Sequence, residues 1–476
     1  MDIDVELVTD AIPPGLIDVI AIEGEEQIGQ LPEWSISLRC RDRSITSSRL
    51  IGARAALVFS RRHEPPCRRI SGLLWHVTDD FGTRTDRELN ARHLTARFSP
   101  PAHLARLVRV QEVYQELSVP EIIEQKLSRS RIPHAFRLAH EYPVREFVMQ
   151  YQETDLAFVS RLAEHLGIAF FFEHIDDQEV MVFTDNGQFH DLPPERGVLP
   201  FGGDGADALD QLVREEQLVE AFYAVSDFNY RMPALDLTAA SRIERGFGGG
   251  IVEYGGHYKT LDEGQRLSQV RSEMIDCRRL TYVGAGSNPE IAAGAFIQLK
   301  DHPELGQQAL LATRVRHSLT SDPDREGELG YRQRFWAIDK DTPFRPELRT
   351  PVPRIQGVVN GLVEALPESD GSKPWLDEFG RYRIRIILDG AAHVSNSASR
   401  AMRMVQNHAG TGYGTHFPLR PGTEVAIGFV GADVDRPVIL GAMPNHATPS
   451  PVNDAEALHH RIQTFSGVYL EIEDGF

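Results

Sequence analysis

The chain has 476 residues, of which 41% are hydrophobic and 25% are charged, a globular composition with room for three or four domains. Its formal net charge of −19 disfavours binding to nucleic acid or anionic lipid, and Cys40, Cys67 and Cys277 are too few and too widely spaced for a disulfide framework. The acidic start lacks a basic, apolar leader and no run reaches the roughly 18 apolar residues of a membrane span, so we expect no signal peptide and no stable membrane insertion.

Residues 1–105 have the pattern of strands. Apolar and polar residues alternate over 31–40, 53–60, 69–77 and 89–98, with turn-like sequences between them. Four such segments predict a barrel or a curved sheet.

The period changes after residue 105. Residues 117–127 predict a helix with Ser118 as N-cap and Glu121 completing a capping box. Residues 155–165 predict a second helix, which Thr154 caps and Gly167 ends. The apolar run 168–174 then predicts a buried strand.

Residues 201–350 predict strands around one helix. The helix is expected over 262–276, because Leu267, Val270 and Met274 form one apolar stripe. The predicted strands are 276–280, 295–299, 310–317 and 331–338.

A proline-rich linker over 342–353 leads into five short segments separated by Gly, Pro, Asp and Ser clusters. They are 354–365, 381–388, 400–405, 423–430 and 436–441. Five such strands are typical of a small Greek-key barrel of the OB type. In the second strand Arg381, Arg383 and Arg385 alternate with apolar residues, so the arginines should share one face. We expect them to face solvent or to pair with acidic residues of a neighbouring chain.

The end of the sequence, 461–474, alternates like one more strand. A strand that stops there would leave edges that invite pairing with other chains.

The patterns that suggest chemistry are weak. The run 246–250 is rich in glycine but lacks the Lys-Ser/Thr of a phosphate-binding loop. The adjacent carboxylates at 79–80, 176–177 and 215–216 point in different directions on regular elements, and 459–460 is expected to be an exposed loop. His63 and Cys67 flank two prolines and do not predict a metal site. We therefore predict no catalytic residue, no cofactor and no metal ligand.

Three blocks carry a family resemblance. Residues 377–384 resemble a strand entry of the VgrG family, the spike proteins of type VI secretion systems. Residues 409–425 are similar to that family's glycine-rich loop and following strand, and 431–441 to its last barrel strand. The blocks have the family's order and spacing. The small, polar segment 389–396 departs from the family, which usually has aromatic residues there.

The resemblance implies a mainly β fold with α+β insertions: two tube-type β-barrels, an OB-fold barrel and the start of an intertwined β-helix. The regions it implies are 1–105, the first tube-forming barrel; 106–200, an α+β connecting domain; 201–350, the second tube-forming barrel with a helix; 351–446, the OB-fold domain; and 447–476, a linker and the start of the needle.

The function implied by the resemblance is structural rather than enzymatic. A homotrimer would dock on the hexameric Hcp tube, carry a PAAR tip protein, and contact baseplate components and effector proteins or their adaptors. It would assemble in the bacterial cytoplasm and then be injected into a target cell.

Three alternatives remain open at the level of sequence. The chain could be the hub of a phage tail or of an extracellular contractile particle. An OB barrel with a basic stripe could bind single-stranded nucleic acid, although the stacking aromatics are few. A spike with an attached enzyme would need a domain for which the residues after the OB barrel leave no room.

Overall fold

The computed structural model describes residues 3–42, 44–61, 64–80, 92–175, 177–191, 197–202, 208–321, 329–387 and 400–475. Two features of the sequence lie outside these residues: His63, which was considered with Cys67 as a metal ligand, and the segment 389–396, which departs from the family pattern. The helices are α1 Ser47–Leu50, α2 Val119–Arg129, α3 Asp155–Leu166 and α4 Leu261–Asp276, with short 3-10 turns at Pro101–Arg106, Val430–Ala432 and Asp454–Glu456.

Most of the remaining regular structure is strand. In the first half the strands are β1 Ile3–Thr9, β2 Ile17–Gln27, β3 Glu33–Cys40, β4 Arg54–Arg61, β5 Pro66–Asp80, β6 Arg92–Ser99, β7 Arg109–Tyr114, β8 His134–Arg137, β9 Val148–Thr154, β10 Ala169–Ile175, β11 Gln178–Thr184, β12 His190–Asp191, β13 Val198–Pro200, β14 Leu209–Glu216 and β15 Phe222–Ser226. In the second half they are β16 Ala239–Arg242, β17 Ile251–Tyr254, β18 Leu280–Gly286, β19 Ala295–Lys300, β20 Ala309–Ser321, β21 Leu329–Asp339, β22 Val359–Val363, β23 Tyr382–Ile386, β24 Ala401–Met402, β25 Ala409–Gly410, β26 Tyr413–Gly414, β27 Glu424–Phe429, β28 Pro437–Ala442, β29 His459–Gln463 and β30 Tyr469–Glu473.

The chain divides into two compact units. Unit 1 comprises 1–108, 123–142 and 154–351, and unit 2 comprises 109–122, 143–153 and 352–476. The main feature of unit 1 is a 13-stranded sheet with the order β1-β4-β5-β6-β3-β2-β20-β21-β18-β14, to which β19, β12 and β13 attach beside β20. The strands predicted for two tube-type barrels therefore form two halves of one sheet.

The two halves meet where β2 pairs antiparallel with β20, from Ile22 opposite Leu319 to Gln27 opposite Arg314. In this pairing Gly24 lies between Trp34 on β3 and His317 on β20. A Cβ at Gly24 would lie 2.1 Å from the Trp34 ring, so only glycine fits under the indole. The Trp34 and His317 rings stack with centroids 4.8 Å apart, and both are fully buried.

The alternation predicted for the first strands is confirmed in β3, where every second residue is buried, but is wrong in β4. The β4 residues Ala55 to Phe59 are all buried. Both faces of this strand are covered, so their apolar content carries no two-residue period.

The helix predictions are confirmed. In α3 the Thr154 hydroxyl accepts the N–H of Ala157 at 3.2 Å, and Gly167 ends the helix with a φ of 71°. The Glu121 carboxylate accepts the N–H of Ser118 at 2.7 Å at the start of α2, which is half of the predicted capping box. The strand predicted at 276–280 is wrong: α4 continues to Asp276, and the strand β18 begins only at Leu280.

Two smaller sheets complete unit 1. The sheet β10-β11-β8 buries the predicted apolar run around Phe170 and Phe171. The sheet β16-β15-β17 is covered on one face by α4, where Tyr223, Val225 and Leu267 form part of a local core.

Unit 2 contains the predicted OB-type barrel as a five-stranded sheet with the order β24-β23-β22-β27-β28. The barrel closes after β24, because the N–H of Val405 donates to the carbonyl of Ile439 at 2.8 Å and the N–H of Ile439 donates to that of Arg403 at 2.9 Å. Phe147 and Met149, from the segment that precedes and begins β9, pack into the barrel core.

Candidate assembly surfaces

The arginine stripe on β23 has the predicted geometry but different partners. Tyr382, Ile384 and Ile386 point into the barrel and are buried. The Arg381 guanidinium pairs with Asp377 at 2.6 Å, and that of Arg383 lies 3.7 Å from Glu364.

The acidic partners of this stripe therefore come from the same chain, and the expectation that a neighbouring chain supplies them is wrong for these two arginines. Arg383 also lies over the ring of Trp375, 5.6 Å from its centroid. Burial would raise the pKa of Asp377, but hydrogen bonds from the Arg381 backbone and side chain hold it below its usual value. A phosphate backbone would have to displace these carboxylates, which weakens the nucleic-acid alternative.

Tyr382 connects the barrel core to the glycine-rich loop. Its hydroxyl accepts the N–H of Leu419 at 3.0 Å and lies 3.1 Å from Nε2 of His416. Burial raises the pKa of this hydroxyl. The loop itself forms the small hairpin of β25 and β26, and Tyr413 on β26 and Phe417 after the hairpin are exposed.

The last part of the chain is a hairpin of β29 and β30 rather than the single strand predicted over 461–474. The sequence Thr464-Phe465-Ser466-Gly467 makes the turn, where Gly467 has a φ of 88° that favours glycine. The prediction of an exposed loop at 459–460 is also wrong, because both histidines lie in β29.

The register of this hairpin separates two faces. Arg461 lies opposite Glu471 and His459 opposite Glu473, so one face is charged. Ile462 lies opposite Leu470, and Ile472 lies opposite His460 on the same side, so the other face is apolar except for His460 at its end. These three apolar side chains are 49%, 60% and 59% exposed.

Each face of the hairpin has a different chemical role. Arg461 contacts both Glu471 and Glu456. This guanidinium lowers the pKa of both carboxyl groups, so the charged face is satisfied within the chain. The apolar face is the one that gains from contact with another chain.

Strands β1 and β14 lie at the two ends of the main strand order of the large sheet in unit 1. Among the described residues, β1 pairs only with β4, and β14 pairs with β18 and otherwise makes one bridge, from Leu209 to Phe201. Most of β14 is exposed, and its Glu216 contacts Arg279 at 2.7 Å, which gives the predicted carboxylate pair 215–216 a surface role. Free strand edges are sites where another strand can add.

A buried ionic cluster joins the two halves of the large sheet. The Arg68 guanidinium donates to both oxygens of Glu26, at 2.7 and 2.8 Å. Nε2 of His317 lies 2.9 Å from Glu26, and its Nδ1 lies 2.6 Å from the Tyr331 hydroxyl. The cluster therefore connects β2 and β5 to β20 and β21, and periodicity gave no signal for it.

The cysteines are all free. Burial raises the pKa of the Cys40 thiol to about 11 and also raises that of Cys277, so both are poor thiolate donors at neutral pH. The glycines of 246–250 lie in a loop, and Gly250 packs under the Phe222 ring. Within the part of the chain that the structure describes, no helix is long and apolar enough to span a membrane.

Two family models match the chain in the regions described above. The "Phage tail baseplate hub (GPD)" model matches residues 25–323, and the "Type VI secretion system/phage-baseplate injector OB domain" model matches residues 377–443. The chain belongs to the phage tail baseplate hub family. The match to the injector OB domain coincides with the barrel of unit 2, so the mainly β prediction with an OB-type barrel is confirmed.

Curated relatives confirm the resemblance to VgrG spike proteins. The type VI secretion system spike protein VgrG4b of Pseudomonas aeruginosa is 27% identical and covers 91% of this chain. VgrG5 of the same species is 28% identical over 89% of the chain. The chain spans 55% of each of these proteins. The actin cross-linking toxin VgrG1 of Vibrio cholerae is 24% identical over 88% of the chain, which spans 38% of that toxin.

Solved structures support the fold of this hub family member. The type VI secretion component c3393 of E. coli, described as similar to the T4 tail proteins gp27 and gp5, has a TM-score of 0.67 at 22% identity. The superposition covers 92% of this chain and all of c3393. A Francisella PdpA-VgrG complex has a TM-score of 0.62 at 9% identity and covers 99% of this chain and 82% of that one.

Proposed function

We propose that this hub family member is the homotrimeric hub and spike base of a type VI secretion system, with a structural rather than an enzymatic role. The apolar face of the C-terminal hairpin carries the proposal. The VgrG relatives support the machine, and the hub and OB matches support the spike architecture.

The hairpin gives a physical reason for assembly. About half or more of each apolar side chain on this face is exposed, in Ile462, Leu470 and Ile472. Fully burying a side chain of this type contributes roughly 1.5–3 kcal/mol, so about half that is available from each on contact with neighbouring chains. An obligate interface usually buries more than about 2,000 Å², so we propose that the free edges of β1 and β14 contribute to the rest.

One pair of variants separates the two faces of the hairpin. Leu470→Asp places a charge on the apolar face, while Gln463→Asp places the same charge on the charged face of the same hairpin. Sedimentation velocity at micromolar concentration should give trimers for the wild type and for Gln463→Asp, and smaller species for Leu470→Asp. A wild-type monomer, or equal behaviour of the two variants, would contradict the proposal.

We assign the regions according to the family resemblance. Residues 1–105 and 201–350 form the tube-like base that docks on the Hcp hexamer, and 106–200 connects them. Residues 351–446 form the OB domain, and 447–476 leads toward a needle and a PAAR tip. Binding of purified Hcp hexamer to the chain by interferometry tests the docking step directly.

The remaining partners follow from the same proposal. Baseplate components would hold the trimer during assembly in the bacterial cytoplasm, and effectors or their adaptors would bind the spike before injection. The VgrG spike relatives favour this type VI assignment over a phage tail or another contractile particle.

A further inference from the structure

The small sheet of β16, β15 and β17 in unit 1 has one covered and one bare face. Helix α4 packs on the inner face, where Tyr223, Val225 and Leu267 are buried. On the outer face Val252 is 71% exposed and Tyr254 is 70% exposed. A strongly apolar face of a sheet is normally covered by another helix or sheet.

The strand register shows which residues share the outer face. Phe222 lies opposite Arg242 on β16, and the next row places Ala224 between Ala240 and Val252. Tyr254 lies beside Ser226 in the third row. The five strand positions that turn a large or charged side chain or a hydroxyl outward are Arg242, Phe222, Val252, Ser226 and Tyr254.

The acidic residue of β17 does not lie on the outer face, because successive side chains of a strand point to opposite faces. Glu253 lies between Val252 and Tyr254 and turns inward, where its carboxylate accepts from the Tyr223 hydroxyl at 2.8 Å and from Arg271 at 3.0 Å. The strands of this face therefore present apolar surface with one guanidinium, that of Arg242, in a chain whose net charge is −19.

Loops beside the sheet carry further exposed apolar side chains. The N–H of Phe247 donates to the carbonyl of Val219 at 2.9 Å, which holds Phe247 close to Leu218 in this loop region. Phe247 is 79% and Leu218 76% exposed. Together with Phe222, Val252 and Tyr254 these side chains present roughly 500 Å² of apolar surface, taking about 150 Å² for each when fully exposed. That is near the upper end for a monomer and typical of a binding site.

Arg242 defines the chemistry of the partner. It is exposed, and among the residues that the structure describes its guanidinium has no ion-pair or hydrogen-bond partner. We propose that this face binds an amphipathic helix of a protein partner, whose apolar stripe covers Phe222, Val252 and Tyr254 and whose carboxylate pairs with Arg242. The area is below the roughly 800 Å² per partner of a stable complex, so the contact is transient.

The inner face of the same sheet supports a helix as the occupant. Helix α4 already covers β15 and β16 from that side with an apolar stripe that includes Leu267 and Met274. A second helix on the outer face would complete a helix–sheet–helix sandwich, the usual way to bury both faces of a sheet. The inference does not depend on the trimeric spike proposal, because all of its residues lie in one small subdomain.

Two designed peptides test the proposal on the 476-residue chain. Both are helices of roughly 14 residues with leucine at i, i+3, i+4 and i+7, and they differ only in glutamate or lysine beside the stripe. Fluorescence anisotropy should show saturable binding of the glutamate peptide and weaker binding of the lysine peptide. Val252→Glu should reduce affinity for the glutamate peptide by at least tenfold, because the new carboxylate would be buried beneath the helix.

Reversing the charge at Arg242 gives the more specific test. Arg242→Glu should reverse the preference, so that the lysine peptide binds roughly two- to fivefold better than the glutamate peptide. Val430→Glu, a matched change at an exposed position in unit 2, should leave both affinities unchanged. Absence of binding by the glutamate peptide, or equal loss with Val252→Glu and Val430→Glu, would overturn the proposal. Unchanged circular dichroism verifies that each variant is folded.

Discussion

Replacing Arg68 by methionine tests the ionic cluster that joins the two halves of the large sheet. The substitution keeps much of the side-chain volume but removes the two hydrogen bonds to Glu26. Glu26 and Arg68 are both largely buried, with side chains 8% and 14% exposed. Breaking a buried ion pair by removing one partner typically costs about 3–5 kcal/mol, because the remaining charge has no compensation.

The pKa of Glu26 gives a second value for the free energy that this cluster contributes to folding. Burial alone would raise this pKa, but the charge of Arg68 and the hydrogen bond from His317 outweigh burial and lower it from 4.5 to about 2. One pKa unit corresponds to about 1.4 kcal/mol, so ionised Glu26 contributes on the order of 3 kcal/mol. This contribution is complete above pH 4.5, the pKa in the unfolded chain, and is lost as the pH falls toward 2.

Urea unfolding followed by tryptophan fluorescence measures both effects. Arg68→Met should lower the free energy of unfolding by about 3–5 kcal/mol at pH 7. Glu26→Gln should weaken the loss of stability between pH 5 and 3. Arg332→Met is the control, because Arg332 is 80% exposed and lies 3.7 Å from Asp210, so its effect should stay below about 1 kcal/mol. Equal destabilisation by Arg68→Met and Arg332→Met would refute the reasoning.

Two further substitutions test local packing and capping. Gly24→Ala forces a Cβ against the Trp34 ring and should lower the free energy of unfolding in urea by about 1–3 kcal/mol. Gly357→Ala is the control and should change stability little, because its new Cβ would meet no atom within 4 Å. Similar effects of the two substitutions would contradict the packing. Thr154→Ala removes the acceptor for the N–H of Ala157 and should lower the free energy of unfolding by about 1 kcal/mol. Thr154→Ser keeps a hydroxyl and should retain most of that stability. Unchanged stability in Thr154→Ala would show that the cap contributes nothing.

Local signals made much of this fold predictable. Thr154 and Gly167 mark the ends of α3 by side-chain capping and by a left-handed backbone, which act within a few residues. The alternation around Tyr382 predicts the inward and outward faces of β23, because one face of this barrel strand is buried. The family resemblance supplied the spike assignment that these local signals could not.

The remaining features depend on contacts between distant residues. The sequence predicts that Arg381 and Arg383 face solvent or pair with a neighbouring chain, yet Asp377 and Glu364 of the same chain approach them when the barrel folds. The alternation predicted over 53–60 fails in β4, because both faces of this strand are covered by other parts of the fold.

The hairpin shows a different limit. Alternation continues through Thr464 and Ser466, so only the positive φ of Gly467 distinguishes a turn from a continuous strand. In the ionic cluster, Glu26 and His317 are brought together by the β2–β20 pairing, and neither residue carries a local signal of its partner.

The central claim is that three copies of this chain form a spike base. Averaged single-particle images of the purified chain test it most directly. We predict a three-fold symmetric particle in which the hairpins of residues 459–473 meet at the axis. Images that show only isolated single chains, or a particle without three-fold symmetry, would contradict the account.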